Sequence, residues 1–169
     1  MKKEKDPLYN KKIQEALDKL IAEEIIANAF YIGCIVSTSP EKADVFWNMF
    51  NDIALDELDD HYKSLSDYAV DNDYDVVFKY KDLEKNADKR VVKQFNSLKA
   101  GQDPKYYVDE AIKSEEYAIE SYKKIIDDNE LPYEFISILY QNYYDELEHL
   151  QKLKILSDAM ENNVELNGF

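Results

Sequence analysis

The chain has 169 residues, 36 acidic against 21 basic side chains, a formal charge of -15 and one cysteine. The charge repels phosphate backbones and argues against nucleic acid as a partner, and one cysteine excludes both an internal disulfide framework and a CxxC metal knuckle. Three glycines and four prolines starve the chain of the turns an all-β fold needs, while 45% hydrophobic residues suffice for a core, so one all-α domain over 1–169 is expected.

The elements follow from periodicity in chain order. A first helix over 8–37 carries Ile13, Leu17, Leu20, Ile21, Ile25, Tyr31, Ile32 and Ile35 at three- and four-residue steps. No secretory signal is read in MKKEKDPLYNKK. The most apolar stretch, 25–36, follows directly on Glu23 and Glu24 and falls short of the ~20 residues of a membrane span, so a soluble cytoplasmic protein is expected. The first helix stops at STSP, where Thr38 and Glu41 have capping-box spacing and Pro40 suits a first turn. A second helix then runs over 40–72 through Trp47, Phe50, Ala54, Leu58, Leu65 and Tyr68.

Residues 73–103 are too long for a structureless loop and read as a crossover along a bundle, with DKRVVKQFNSLKAG as a short extra helix within it. A third helix over 104–127 carries Val108, Ala111, Ala118, Ile119, Tyr122 and Ile126. A fourth over 132–161 carries Phe135, Leu139, Tyr143, Leu150 and Leu153. The short loops flanking the crossover make two antiparallel hairpins, and rods this long suit an antiparallel four-helix bundle.

Acidic residues fall on the apolar faces. At ~100° per residue Glu24 projects beside Leu17 and Ile35, whereas Glu23 lies well off that stripe. Glu115 aligns with Ala111, Val108 and Tyr122, and Glu57 and Glu146 land on the inner faces of their helices. Ionised carboxylates are too costly to bury unless paired or bound to a cation. The two halves also match. EIIANAFY (24–31) and EEYAIESY (115–122) share Glu, Ala three residues on and Tyr seven on, and DELDDH (56–61) parallels DELEH (145–149). Both histidines, His61 and His149, lie in the latter pair. A bundle interior with four carboxylates and two imidazoles suits a pair of iron or manganese ions.

These residues resemble the ferritin-like di-iron carboxylate proteins, with bacterioferritin and rubrerythrin as the nearest relatives. That family carries a lone Glu on helices one and three and Glu-x-x-His on helices two and four. Glu146 with His149 fits the pattern, and Glu24 with Ala27 and Tyr31 looks like the first-helix motif with its tyrosine. The second helix departs from it. Alignment on DEL makes Asp60 the ligand, but projection and the match of HYKSL with HLQKL favour His61, and a π-bulge would reconcile Glu57 and His61 with the family geometry.

The resemblance implies two iron ions, with manganese or mixed iron and manganese as the alternative, held by Glu24, Glu57, His61, Glu115, Glu146 and His149. It implies oxidation of Fe(II) by oxygen or hydrogen peroxide, in ferroxidase and iron storage or in peroxide detoxification, and a homo-oligomer, at least a dimer. Tyr31 and Tyr122 are the catalytic candidates, as hydrogen-bond partners of the ligands or redox-active groups, with plain packing as the other reading. The haem-ligating methionine of bacterioferritin would follow Glu57, where Leu58 stands, so no haem is expected, and ENNVELNGF is too short for a fifth ferritin helix. An oxidase or oxygenase acting on an organic substrate and a non-catalytic metal-binding bundle are the competing functions. Cys34 reads as a small core residue, and most other carboxylates as solvated surface.

Overall fold

The computed structural model describes residues 6–38, 44–76, 79–128 and 130–162. Helix α1 spans Pro7–Ser37, with Pro7 in its first turn and the Asp6 carboxylate accepting the Leu8 N–H at 3.0 Å. At its far end the Thr38 hydroxyl donates to the Cys34 carbonyl at 2.7 Å. The expected capping box of Thr38 with Glu41, and Pro40 with it, lies outside the described residues apart from Thr38. Helix α2 is described from Asp44 to Leu55 and passes without a break into a π-helical segment, Asp56–Tyr62, and then α3, Lys63–Asp71.

Among its described residues the crossover holds two helices, α4 (Tyr80–Asn86) and α5 (Lys89–Asn96). Only the second matches the extra helix read in the sequence. The long rods α6 (Pro104–Asp128) and α7 (Tyr133–Glu161) complete the bundle. No strand occurs among the described residues.

Two apolar clusters fix the helix directions. One joins the start of α1 and the end of α3 to the end of α6 and the start of α7, through Leu17, Leu65, Tyr122, Ile126, Phe135 and Leu139. The other joins the end of α1 and the start of α2 to the start of α6 and the end of α7, through Phe30, Phe50, Tyr107, Val108, Leu153 and Leu156. Helices α1 and α7 therefore run together, opposite to α2–α3 and α6, and the crossover carries the chain from one end of the bundle to the other. The Gly101 N–H reaches the Ser37 carbonyl at 3.2 Å, and Gly101 has φ 70°, a left-handed turn that costs a glycine little.

A smaller cluster of Ala22, Ile26, Leu83, Ala87 and Val91 seats the crossover on α1. This explains Glu23, which projection turns away from the core stripe yet is only 6% exposed: it lies under the crossover, where Oε1 accepts the Asp88 N–H at 2.9 Å. Helix α1 also differs from expectation in containing a window of mean hydropathy 1.6, long and apolar enough by itself to cross a membrane. Half of that window is buried inside the bundle, as a core helix requires.

Candidate metal centre

Between the two apolar clusters lies a belt of buried polar residues: Glu24 on α1, Glu57 and His61 on the π segment, Glu115 on α6, and Glu146 and His149 on α7, each no more than 3% exposed. The π segment decides the register on its helix. DELDDH has one residue more than DELEH between Glu and His, and the wider turn absorbs it, so Glu57 and His61 share the inner face while Asp60 is exposed.

The side chains form two overlapping groups. Glu24, Glu57, His61 and Glu146 each bring one donor atom within 4.8 Å of the others, and Glu57, Glu115, Glu146 and His149 do the same. His61 Nδ1 lies 3.4 Å from Glu24 Oε2, 3.4 Å from Glu57 Oε2 and 3.3 Å from Glu146 Oε1. His149 Nδ1 lies 3.7 Å from Glu57 Oε1 and Glu115 Oε2 and 3.5 Å from Glu146 Oε2. Glu57 and Glu146 thus face both imidazoles, and the arrangement has an approximate two-fold repeat.

The flanking residues repeat as well. The Tyr31 hydroxyl donates to Glu115 Oε1 and the Tyr122 hydroxyl to Glu24 Oε1, each tyrosine reaching the carboxylate of the other motif. Tyr31 stands in an aromatic nest, edge-on to Phe30 and Phe50. Tyr122 stands in a polar one, accepting from Asn142 Nδ2 at 3.1 Å. Asp56 and Asp145, which the sequence reading passed over, hold the outer nitrogens: His149 Nε2 lies 2.9 Å from Asp56 Oδ2, and His61 Nε2 lies 3.3 Å from Asp145 Oδ2. The signal for them was on view, because both motifs begin Asp-Glu-Leu.

Four carboxylates and two imidazoles are concentrated here. Burial, and then the charges of Glu146 and Glu24, push the Glu57 carboxyl well above its usual range, and burial with Glu146 pushes Glu115 up to about 8. Burial alone would neutralise His61, but Glu24 and Glu146 outweigh it and hold the ring protonated far beyond its usual range. His149 is held likewise, against burial, by Asp56, Glu115 and Glu146. Burial would raise Glu146 too, yet Glu115 and the two imidazoles hold it below the usual carboxylate range. Protons do here what a cation would do.

The donor atoms test the fit of a metal directly. Glu24 Oε2, Glu57 Oε2, His61 Nδ1, Glu115 Oε2, both oxygens of Glu146 and His149 Nδ1 are buried with no hydrogen-bond partner. Buried polar atoms are rarely left so, and these converge on one another. Carboxylate oxygen and imidazole nitrogen suit iron, manganese or zinc, and four carboxylates balance two divalent ions in charge.

No protein-family model and no curated relative matches the chain. Among solved structures it is similar to a dodecameric thioferritin, the bacterioferritin-related protein from Bacteroides fragilis, at 20% identity and a TM-score of 0.78, over 90% of this chain and 89% of that one. At that identity the likeness is one of architecture. The long rods, the crossover and the buried Glu/His belt thus belong to a chain with the ferritin-like fold.

Proposed function

We propose that the chain is a non-haem di-iron protein that oxidises Fe(II) with oxygen or peroxide. The observation that carries this reading is the convergence of unpartnered, buried oxygen and nitrogen atoms from six side chains on two adjoining positions. Glu24 and His61 would hold one ion, Glu115 and His149 the other, and Glu57 and Glu146 would serve both. Two bound ferrous ions would supply two electrons together to one oxidant molecule.

The chain's own groups prepare this site. Asp56 and Asp145, on the Nε2 side of the rings, turn each Nδ1 inward and fix the tautomer that can bind metal. Tyr31 and Tyr122 keep their protons, since burial and the adjacent carboxylates raise both far above the usual phenol range, and their hydroxyls orient Glu115 and Glu24. Apolar clusters flank the belt at either end. Asp60, exposed, is not in this ligand set; His61 is.

Assembly into a homo-oligomer and a cytoplasmic location belong to the same proposal. The similar structure is described as dodecameric, and here Ile32, Val36, Leu55 and Leu58 are exposed apolar side chains available for contacts between copies.

Anaerobic titration with Co(II), followed by Fe(II) titration in air, tests the reading. Two ions per chain with d–d absorption are expected, and loss of binding in Glu115→Ala and Glu146→Ala. Oxidation of two Fe(II) per chain indicates an enzyme and of many indicates storage. Absence of transition-metal binding would overturn the reading.

A further inference from the structure

The two halves of the metal centre repeat their donors but not the residues behind them. Three residues before DELEH stands Asn142, and three residues before DELDDH stands Ile53. Each is 2% exposed, and Ile53 belongs to the apolar cluster that contains Tyr31. A buried amide costs free energy that a buried isoleucine does not, so its presence on one side alone calls for a use.

Asn142 has two amide hydrogens and a partner for each. Nδ2 donates to the Tyr122 hydroxyl at 3.1 Å, and that hydroxyl donates to Glu24 Oε1. Ser64 Oγ, 3.3 Å from the same nitrogen and 3.4 Å from the amide oxygen, makes its shorter bond to the His61 carbonyl at 2.9 Å. An amide nitrogen only donates, so the Tyr122 oxygen must accept on that side and turn its own proton to Glu24. Donors in series also polarise one another, which strengthens the bond that reaches Glu24. One side chain of α7 thus stands behind Glu24 and behind the turn that carries His61. These are the two donors that set one metal position apart from the other, Glu57 and Glu146 being common to both.

The other position is backed differently. Tyr31 is flanked edge-on by the Phe30 and Phe50 rings, and Ile53 has no group to offer its hydroxyl. Lys152 stands three residues after His149, as Ser64 stands three after His61, and pairs with Glu148 at 2.8 Å on the exposed side of α7.

We propose that Asn142 is a positioning residue that makes the two metal positions unequal: by fixing Tyr122 and Ser64 it presets Glu24 and His61, so that their position fills first and binds more tightly than the position of Glu115 and His149. Asn142 itself is not a ligand. Donors held in their binding geometry before the ion arrives lose less freedom when it binds. This order of filling rests on the di-iron reading above and adds to it a residue from beyond the six donors.

Stepwise Co(II) titration of the wild type, Asn142→Leu, Asn142→Asp and Ser64→Ala tests it, with thermal melting of the metal-free proteins as the control for folding. The wild type is expected to bind two ions in two resolved steps, the tighter one lost in His61→Ala and the weaker one in His149→Ala. Asn142→Leu keeps the side chain's size and removes the amide. It should weaken the tighter step tenfold or more, as for other groups that orient metal ligands, and leave the weaker step within twofold. Asn142→Asp keeps the shape but accepts the Tyr122 proton in place of Glu24, and should weaken the same step; Ser64→Ala should weaken it less. A second readout needs no metal: crystals of metal-free Asn142→Leu should show Tyr122 and Glu24 parted, with Tyr31 still on Glu115. An unchanged tighter step in Asn142→Leu or, where that variant does not fold, in Asn142→Asp would overturn the role of Asn142. Equal weakening of both steps, which a role in packing alone would give, or a wild type that binds two ions with one affinity would overturn it too, and each of these results leaves the metal centre standing. Failure of the wild type to bind Co(II) would instead remove the di-iron reading itself.

Discussion

His149 Nε2 lies 2.9 Å from Asp56 Oδ2, so the imidazole of one hairpin is steered by the residue preceding the shared carboxylate of the other. The contact holds the Asp56 carboxyl below its usual range and turns His149 Nδ1 toward Glu57, Glu115 and Glu146. Partners of this kind set the tautomer and basicity of a metal-binding ring, and their loss costs roughly 10–100-fold in affinity. Asp56→Ala should weaken Co(II) binding at one of two positions by that factor, read from a biphasic titration. A monophasic curve with wild-type affinity would refute the role.

The π segment gives a sharper expectation. Deleting Asp60 turns DELDDH into DELDH, the spacing of DELEH, and removes the residue that the wide turn accommodates. The deletion should therefore give an ordinary α-helix with Glu57 and the histidine still facing inward, two Co(II) ions bound per chain and a melting temperature no lower than wild type. His61→Ala should bind one ion fewer, while Asp60→Ala should bind two. Loss of one ion in Asp60→Ala would transfer the ligand role to that residue.

In the metal-free protein, stability should fall as pH rises. The Glu115 carboxyl, ordinarily near 4.5, stands at about 8 in the fold, so between these values the folded state keeps a proton that the unfolded chain has released. Both imidazoles act in the same direction above their ordinary value of 6.5. Glu146, whose carboxyl is depressed, contributes stability above about 4.5 that is lost only as pH falls below it. The melting temperature of the metal-free protein should drop by roughly 5 °C or more from about pH 5.5 to pH 8. Two divalent ions should remove most of this dependence, with release of protons on binding. A flat profile in the metal-free protein would show that the cluster is not strained as described.

Phe50 is fully buried and meets the Tyr31 ring edge-on at 5.0 Å. Phe50→Ala should cost about 3–5 kcal/mol of unfolding free energy and loosen the carboxylate that Tyr31 holds. Leu8→Ala, at a position 62% exposed, should change stability by less than ~0.5 kcal/mol. Urea unfolding of the two variants measures the contrast.

Much of the architecture could be read in the sequence because it depends on helical period. The apolar steps from Ile13 to Leu20 and the inward projection of Glu24, Glu115 and Glu146 need no knowledge of neighbours. Glu23 shows where that reasoning stops. A projection on one helix separates core from exterior, but only tertiary packing reveals that the crossover covers this exterior face, and α4, with Leu83 as its sole buried anchor, left no stripe to find. Leu58 likewise sits on the apolar stripe of an ideal helix yet is 40% exposed within the π segment. Asp56 and Asp145 escaped for another reason: each serves a ring on the opposite hairpin, a relation that no single helix displays.

The sharing of Glu57 and Glu146 has a consequence for how the halves of the molecule depend on each other. On the proposed reading each half-chain would own three donors for one ion and lend a fourth to its counterpart: Glu24, Glu57 and His61 group with Glu146, while Glu115, Glu146 and His149 group with Glu57. Neither hairpin can complete a position alone. Metal bound there would act as a clasp between two similar pieces, so a chain cut within the crossover should yield fragments that stay together with divalent ions and drift apart when a chelator takes them away.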